Sequence, residues 1–510
     1  MKRNISYIIA FAAGVMLLGS CKKALDVNPQ DRILVDNYYK TSADAFAGVV
    51  SVYDQFGYQT SGLYDKVAIA DVASDDQLTG GGSPTDLNDL QVLSHYTLNP
   101  TIGPQLYLWT RGFTGIYRAN VVLQKVPGIT MDAALKTRLL AETQALRAIF
   151  YFDLVRFFKN VPLLTEPVPQ TDLYNVVQAP PTDVYALIEK DLIAAIPGLP
   201  ATVPAATEGG RLTKGAAQAV LGKVYLTEKK YDLAAAQFAI VNGTTPGQPN
   251  TTYGYALLPN YADLWNPTNK FNSESVLEIV HSSTSNGAWS NAGASEGNLL
   301  NIITGPRGYS TVKTGAPDYY PGYSFLVFTK AFYDFIHYDP RNMATVANLD
   351  SLQTNGIANY SPGYDNTGYF LGKYIGRQSD KTTTGQIELN FPQDIYEIRL
   401  ADTYMMEAEA LINSGGSGSA GSRAYILFNA VRARVGLNPI DVTMPNIMNE
   451  RRLELAGEGI RYFDLIRWGT AASVLAFKGF VAGRDEILPI PQTELNNTKL
   501  VQSKEWGGTK

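Results

Sequence analysis

The chain has 510 residues, of which 45% are apolar and 17% charged, and its formal net charge is −5. That length allows two to four domains or one large unit with a buried core. The single cysteine, Cys21, excludes a disulfide framework within the chain and any zinc or iron–sulfur site built on several cysteines. The three histidines are scattered, which disfavours a histidine-based metal centre, and the mild acidity argues against a nucleic-acid partner.

The amino terminus has the pattern of a secretory signal. Lys2 and Arg3 precede an apolar run over residues 5–18, which is short for a bilayer span but has the length of a signal-peptide core. The run ends in Leu-Leu-Gly-Ser before Cys21, and this order resembles a bacterial lipoprotein signal whose cysteine is acylated. An ordinary secretory signal or a membrane anchor is the alternative. Removing residues 1–20 leaves 40 basic against 47 acidic residues, a net charge of −7.

Apolar residues recur at helical spacing in much of the remaining chain. The predicted helices cover residues 43–56, 107–126, 139–158, 182–196, 397–412, 422–435 and 448–455. Short strands are predicted at 276–280 and 487–490. Segments rich in Pro, Gly, Asn and Ser separate these elements, at 79–88, 197–210, 242–252, 282–322 and 350–369. Loops of this length in a compact chain are usually functional, so we expect a ligand site there.

An acidic segment follows the first predicted helix. Asp71, Asp75 and Asp76 offer carboxylate oxygens that could bind calcium, although their spacing is not that of an EF-hand loop. A solvated or ligand-facing loop is the alternative interpretation, and we include Asp75 and Asp76 among the candidate ligand-binding residues. We expect no resident metal and no cofactor.

One window matches the spacing of a tetratricopeptide repeat. Its signature residues are Leu221, Gly222, Tyr225, Ala234, Phe238 and Pro246. Gly222 and Ala234 would allow two antiparallel helices to approach closely, while Tyr225 and Phe238 would fill the space between them. The predicted helices at 397–412 and 422–435 form a second pair of similar size with a poorer match. A generic helical hairpin remains the alternative for both pairs.

Aromatic side chains in polar loops are the positive sign of a binding site. A sugar ring has an apolar C–H face and a rim of hydroxyl groups, so it is bound by a flat aromatic ring flanked by polar side chains. Trp289 is the strongest candidate because it lies far from any apolar stripe. The other candidate residues in or beside the loops are Tyr96, Asn291, Arg307, Tyr309, Tyr319 and Tyr320.

Evidence for catalysis is weak in the sequence. Glu450, Glu454 and Glu458 lie one helical turn apart, but the neighbouring Arg451, Arg452, Arg461 and Arg467 favour an ion-pair network over an acid/base pair. No nucleophile elbow, phosphate loop or dinucleotide fingerprint is present. We therefore predict a binding protein without catalytic residues. A glycosidase remains possible in principle, since its two carboxylates leave no short signature.

Several motifs occur together in a fixed order along the chain. They are Leu25-Asp26-x-x-Pro29, Asp71-x-x-Ser74-Asp75-Asp76, Trp109-x-x-x-Phe113-x-x-Ile116-x-x-Ala119-Asn120, Glu142-x-x-x-Leu146-Arg147-Ala148-x-x-Tyr151, Val161-Pro162-Leu163, Glu450-Arg451-Arg452-x-Glu454-Leu455, Asp464-Leu465-x-Arg467-Trp468 and Pro489-Ile490-Pro491. With Cys21 and the repeat-like window, this series resembles the SusD/RagB family of Bacteroidetes outer-membrane lipoproteins over nearly the full chain.

The resemblance implies a mainly α-helical fold, with tetratricopeptide-like repeats supporting a loop-rich ligand half and a few short β-hairpins. It implies a non-enzymatic nutrient binder, lipid-anchored in the outer membrane and facing the cell exterior, which caps a SusC-like TonB-dependent transporter and delivers glycan to it. Some relatives handle peptides. The ligand residues of this family lie in variable loops, so the candidate residues above depend on the aromatic pattern alone.

The expected organisation is a signal peptide (1–20), an N-terminal region with repeat-like helices (21–240) and a C-terminal region with the ligand loops and a further helix pair (241–510), together forming one compact unit. Two other functions stay open from the residues. One is a lipid-anchored glycoside hydrolase that uses loop carboxylates. The other is a helical-repeat module that binds a protein or a peptide.

Overall fold

The structure, a computed structural model, describes residues 38–58, 62–285, 287–290 and 295–510. The signal peptide, Cys21 and Asn291 lie outside the described residues, and the predictions for them stay predictions. The α-helices of the described part are α1 (Ser42–Tyr58), α2 (Lys66–Val72), α3 (Asn88–Ser94), α4 (Gln105–Lys125), α5 (Ala133–Phe158), α6 (Pro181–Ala195), α7 (Ala205–Glu208), α8 (Lys214–Thr227), α9 (Tyr231–Asn242), α10 (Leu300–Ile303), α11 (Lys330–Ile336), α12 (Asn342–Thr345), α13 (Leu349–Thr354), α14 (Leu400–Asn413), α15 (Arg423–Arg434), α16 (Met444–Glu454), α17 (Arg461–Trp468), α18 (Ala471–Val474) and α19 (Gln492–Leu495).

The long helices form a continuous row that crosses from the N-terminal to the C-terminal part of the chain. Helix α1 packs on α4 and α5, α5 on α6, α6 on α8, α8 on α9, α9 on α14, and α14 on α15 and α16. The junction between α9 and α14 is polar as well as apolar, because the Asn242 amide donates a hydrogen bond of 2.7 Å to Glu407. The predicted mainly helical, repeat-like architecture is confirmed.

Side-chain caps set where several of these helices begin. The Asp132 carboxylate accepts from the Leu135 N–H before α5, and the Thr213 hydroxyl accepts from the Ala216 N–H before α8. Such caps satisfy backbone donors that have no partner within the helix. Helix α9 ends at Asn242 and is followed by Gly243, whose φ of +84° is costly for other residues.

The predicted repeat contact is present between α8 and α9. A Cβ placed on Gly222 would lie 2.7 Å from the ring of Phe238, so only glycine allows this approach. Ala234 and Phe238 are fully buried, and Tyr225 is 6% exposed. The helices therefore pack around the residues that the sequence indicated.

The strands of the described residues form two-stranded antiparallel ladders. The pairs are β1 (Gln77–Gly80) with β6 (Phe325–Phe328), β2 (Val161–Pro162) with β3 (Gln178–Ala179), β4 (Ser275–Ile279) with β10 (Ile395–Arg399), β5 (Ser310–Thr311) with β8 (Ala358–Asn359), and β7 (Val346–Asn348) with β9 (Tyr369–Leu371). Gln77 lies opposite Phe328, and Ile279 opposite Ile395.

Two sequence predictions about local structure are wrong. The helix expected from residue 397 begins at Leu400, because residues 395–399 belong to β10. Residues 487–490 are not a strand. There the Leu488 N–H donates to the Phe157 carbonyl and the Ile490 N–H donates to the Gln502 side chain, so a helix end and an amide replace the strand partner.

The charged side chains of residues 449–468 pair in the interior with partners that are mostly distant in sequence. The ion pairs join Glu450 to Arg341 and Arg432, Glu454 to Arg341, Arg399 and Arg434, Glu458 to Lys373 and Arg399, Arg451 to Asp402 and Asp464, and Arg467 to Glu409 and Asp464. The segment does form ion pairs, but the predicted partners are wrong: among the described residues, none of the three glutamates pairs with the neighbouring Arg451, Arg452, Arg461 or Arg467. The network is buried and links α16 and α17 to other elements, because the matching charges come from distant parts of the chain. We call Arg341, Arg399, Arg434, Glu450, Glu454 and Glu458 the buried ionic cluster.

Helices in the described ranges are all too short or too polar to cross a bilayer.

Candidate functional site

Trp289 lies on a loop that a second polar segment holds in place. Its backbone N–H donates a hydrogen bond of 2.7 Å to Gln386 Oε1, and the Gln386 N–H donates one of 3.0 Å to the Gly287 carbonyl. The Trp289 side chain is 40% exposed. A tryptophan whose backbone is fixed while its ring remains in water is a suitable stacking platform.

The segment that holds Trp289 also carries an acidic group. Residues 382–390 end in a 3₁₀ turn, Ile387–Leu389, in which Leu389 is buried and Glu388 is half-buried. The Asn390 amide donates to the carbonyls of Thr384 and Gln386, at 2.9 and 3.1 Å. These bonds give the segment a defined shape although its composition is polar.

Tyr320 and Tyr323 lie close enough to Glu388 for its charge to act on both phenol groups. Burial raises the pKa of both tyrosines, and the Glu388 carboxylate raises both further. Both hydroxyl groups therefore stay protonated near neutral pH and can donate hydrogen bonds. The ring of Tyr320 meets Phe391 edge to face at 5.4 Å between centroids, and the Lys381 ammonium lies 5.6 Å from the Tyr320 centroid.

Arg307 extends this group of side chains towards the loop before α3. One guanidinium nitrogen of Arg307 lies 3.0 Å from Asp86 Oδ2, and both side chains are about one third exposed. The Arg307 charge also acts on Tyr323, where it opposes the rise in pKa. We call Trp289, Arg307, Tyr320, Tyr323, Gln386 and Glu388 the aromatic loop face.

The aromatic loop face combines three rings with an amide, a carboxylate and a guanidinium. Sugar hydroxyl groups both donate and accept hydrogen bonds, so Glu388 would accept from them and Arg307 would donate to them. The rings supply apolar area for the C–H face of a sugar. Within the described residues, no group of three or more His, Cys, Asp or Glu side chains is arranged to hold a metal ion.

Two of the predicted loop tyrosines, Tyr309 and Tyr319, pack in a small hydrophobic core. Tyr309 is 5% exposed and donates a hydrogen bond of 2.7 Å from its hydroxyl to the Pro317 carbonyl. It belongs to a small core that includes Ala347 and Phe370. Burial, then Tyr319 at 5.5 Å between ring centroids, raises the pKa of Tyr309 to about 12. Tyr319 is half-buried.

Three other candidate residues have partners inside the protein. Tyr96 is 4% exposed, donates its hydroxyl hydrogen to the Ala73 carbonyl and packs edge to face on Phe480 at 5.0 Å. Asp75 pairs with Arg461 at 2.8 Å and Asp76 pairs with Arg452 at 2.6 Å. Their carboxylates clamp the start of β1 to α16 and α17, so these three positions do not fit a ligand-contacting role.

The structure also adds residues that the sequence reasoning missed. Gln386, Glu388 and Lys381 join Trp289 to the tyrosines, and Asp86 pairs with Arg307. The only available signal was a run of polar residues at 377–386 just before buried residues 389–391, and this pattern is common in ordinary surface loops.

The chain is similar to known proteins over nearly its whole length. A family model described as "SusD family" matches residues 342–482, and one described as "Starch-binding associating with outer membrane" matches residues 43–226. A solved structure of a laminarin-binding SusD-like protein is 48% identical, with a TM-score of 0.87, over 91% of this chain and 99% of that one.

Two further proteins are also similar to this chain over about nine tenths of its length. The surface glycan-binding protein A from Bacteroides thetaiotaomicron, solved in complex with laminarihexaose, is 26% identical with a TM-score of 0.78, over 91% of this chain and 99% of that one. SusD-like protein P25 of Formosa agariphila is 24% identical over 92% of this chain and 91% of the relative.

Proposed function

The chain belongs to the SusD/RagB family, and from that premise we propose that it binds glycan at the surface of the outer membrane and delivers it to a SusC-like TonB-dependent transporter. In this proposal the protein is a binder and not an enzyme. The ligand class is a β-1,3-glucan of the laminarin type.

The observation that carries the proposal is the 48% identity to a laminarin-binding SusD-like protein over 91% of this chain. The weaker likeness to a protein solved with laminarihexaose points to the same ligand class. In our proposal the aromatic loop face is the contact surface for this ligand, with Trp289 and Tyr320 as platforms.

Membrane attachment is proposed through acylation of Cys21, since several acyl chains would hold the protein firmly to a bilayer. The description of the matching N-terminal family model, which refers to association with the outer membrane, supports this location. The helical row would remain available for docking to the transporter.

Calorimetric titration of the mature protein with laminarin tests the proposal. We expect micromolar to millimolar affinity for laminarin and weaker binding of starch, xylan and mannan. Incubation of laminarin with the protein should release no new reducing ends. Absence of binding to every polysaccharide, or steady release of reducing ends, would contradict the proposal.

A further inference from the structure

A cavity lies among the helices of the protein, and none of the residues that line it belongs to the aromatic loop face. Its volume is about 420 Å³, within the range of small-molecule sites. Helices α2, α5, α8, α14 and α17 each contribute an apolar side chain to its wall, namely Val67, Val155, Leu226, Met406 and Phe463. The cavity therefore offers a mainly apolar environment for a ligand of modest size.

Lys223 on α8 lines this cavity, and within the described part of the chain its side-chain ammonium has neither a hydrogen-bond partner nor an ion-pair partner. The surrounding protein desolvates its ammonium and lowers its pKa. Water still reaches part of the side chain. An ammonium in an apolar wall is costly unless an anion compensates it, so Lys223 is the position at which a ligand charge would be most favourable.

The neighbouring cations are already compensated. Lys66 lies 2.9 Å from Asp153 and 2.7 Å from Glu397, and Arg156 pairs with Asp153 as well. The charges of Asp402 and Glu397 favour the charged form of Lys223, while those of Arg156 and Lys66 oppose it. Asp402 is itself paired with Arg451 and Glu397 with Lys66, and among the described residues neither carboxylate forms an ion pair with the Lys223 ammonium. Lys229, exposed near the cavity, adds positive potential.

One acidic group is also incompletely satisfied. Glu486 lines the cavity, and its buried Oε2 has no hydrogen-bond partner among the described residues. It could accept a hydrogen bond from a hydroxyl or N–H group of a ligand. A ligand held by Glu486 alone would be a cation, whereas a ligand held by Lys223 would be an anion, and this difference can be measured.

We propose that the cavity binds a small organic carboxylate with an apolar body, whose carboxylate pairs with Lys223 while its hydrocarbon part contacts Val155, Met406 and Phe463. This site is separate from the aromatic loop face, and it does not depend on which glycan the protein binds. In this proposal the helices both support the loops and form a binding site for a small molecule.

Hexanoate, hexylamine and hexanol test the proposal on the mature protein, by ligand-observed NMR titration and by thermal melting. We expect hexanoate to bind and to raise the melting temperature, and hexylamine and hexanol to bind at least tenfold more weakly. Lys223→Met should weaken hexanoate binding at least tenfold. Lys190→Met, which removes an exposed lysine of α6 outside the cavity, should leave it unchanged.

A second variant keeps the test decisive if Lys223→Met does not fold. Ile466→Trp narrows the cavity without touching Lys223 and should also abolish hexanoate binding. Failure of hexanoate to bind the wild-type protein, equal binding of hexylamine, or unchanged hexanoate affinity in either variant would overturn the proposal. Laminarin affinity should be the same in all of these proteins, so this result is independent of the glycan test.

Discussion

The buried ionic cluster and the aromatic loop face both depend on charged side chains, but they differ in their access to water. In the cluster, burial alone would raise the pKa of Glu454, yet Arg434, Arg399 and Arg341 together hold that pKa well below its usual range. On the loop face, Arg307 and Asp86 form a single pair that is about one third exposed on each side.

Because of this difference in access to water, the two regions differ in the cost of removing one charge from an ion pair. A carboxylate fixed by three buried guanidinium groups cannot lose its charge without leaving uncompensated cations inside the protein. A partly exposed pair can exchange one partner for water or for a ligand hydroxyl at little cost. We therefore expect substitutions in the cluster to act on stability and substitutions on the loop face to act on binding.

Glu454→Gln should produce the largest effect. It keeps the size of the side chain but leaves Arg341, Arg399 and Arg434 without a shared carboxylate, which we expect to cost about 3–5 kcal/mol of unfolding free energy. Urea denaturation followed by far-ultraviolet circular dichroism would measure the loss.

Glu388→Gln on the loop face is the matched control. Its side chain is half-buried and has no ion-pair partner among the described residues, so we expect its unfolding free energy to change by less than about 0.5 kcal/mol. Equal losses of unfolding free energy in Glu454→Gln and Glu388→Gln would show that burial does not determine how much a carboxylate contributes to stability here.

Gly222→Ala tests the close approach of α8 and α9. The added methyl group would lie 2.7 Å from the ring of the fully buried Phe238, so we expect a loss of about 1–3 kcal/mol. A methyl group added at Gly57, near the end of α1, would have no atom of the described residues within 4 Å, so Gly57→Ala should cause little loss. Chemical denaturation of both variants would measure the two changes in unfolding free energy. A Gly222→Ala protein as stable as the wild type would contradict the close packing of α8 on α9.

Trp289→Ala should leave stability unchanged and weaken laminarin binding. Loss of one stacking ring is expected to cost about 1–1.5 kcal/mol, or roughly a 5- to 10-fold rise in Kd. Tyr338→Ala is the control, because Tyr338 is 88% exposed and lies outside the aromatic loop face. Calorimetry should show lower affinity in the first variant alone; an unchanged Kd for Trp289→Ala would remove Trp289 from the proposed site.

Local features of this fold were readable from the sequence because they depend on near neighbours. The spacing of apolar residues placed most of the long helices within a few residues of their observed bounds, and Gly222 with Phe238 predicted a contact that the structure contains. These patterns repeat every few residues, so no distant partner has to be known.

Features that depend on distant partners were not readable. In the sequence, Asp75 and Asp76 have the pattern of ligand-facing acids. In the structure they pair with Arg461 and Arg452, which lie 386 and 376 residues further along the chain. Likewise, Tyr309 and Tyr320 occur in similar polar contexts, but only tertiary packing buries the first and leaves the second beside Glu388. The sequence therefore indicated Trp289, Arg307 and Tyr320 of the aromatic loop face, whereas Gln386 and Glu388 joined it only through the fold.

Asp86→Asn should give the smallest effect and completes the comparison with Glu454→Gln. Each variant replaces a carboxylate with an amide of the same size, but the Asp86 pair with Arg307 is partly exposed, so its contribution should be about 0.2–1 kcal/mol. Salt screens exposed pairs far more than buried ones, and the Asp86→Asn effect should therefore vanish in about 1 M NaCl. The loss in Glu454→Gln should persist there, because water and ions do not reach that carboxylate. Unfolding titrations of both variants at low and high salt measure this difference. A salt-resistant loss in Asp86→Asn would mean that the Asp86–Arg307 pair is shielded from water and ions as the buried ionic cluster is.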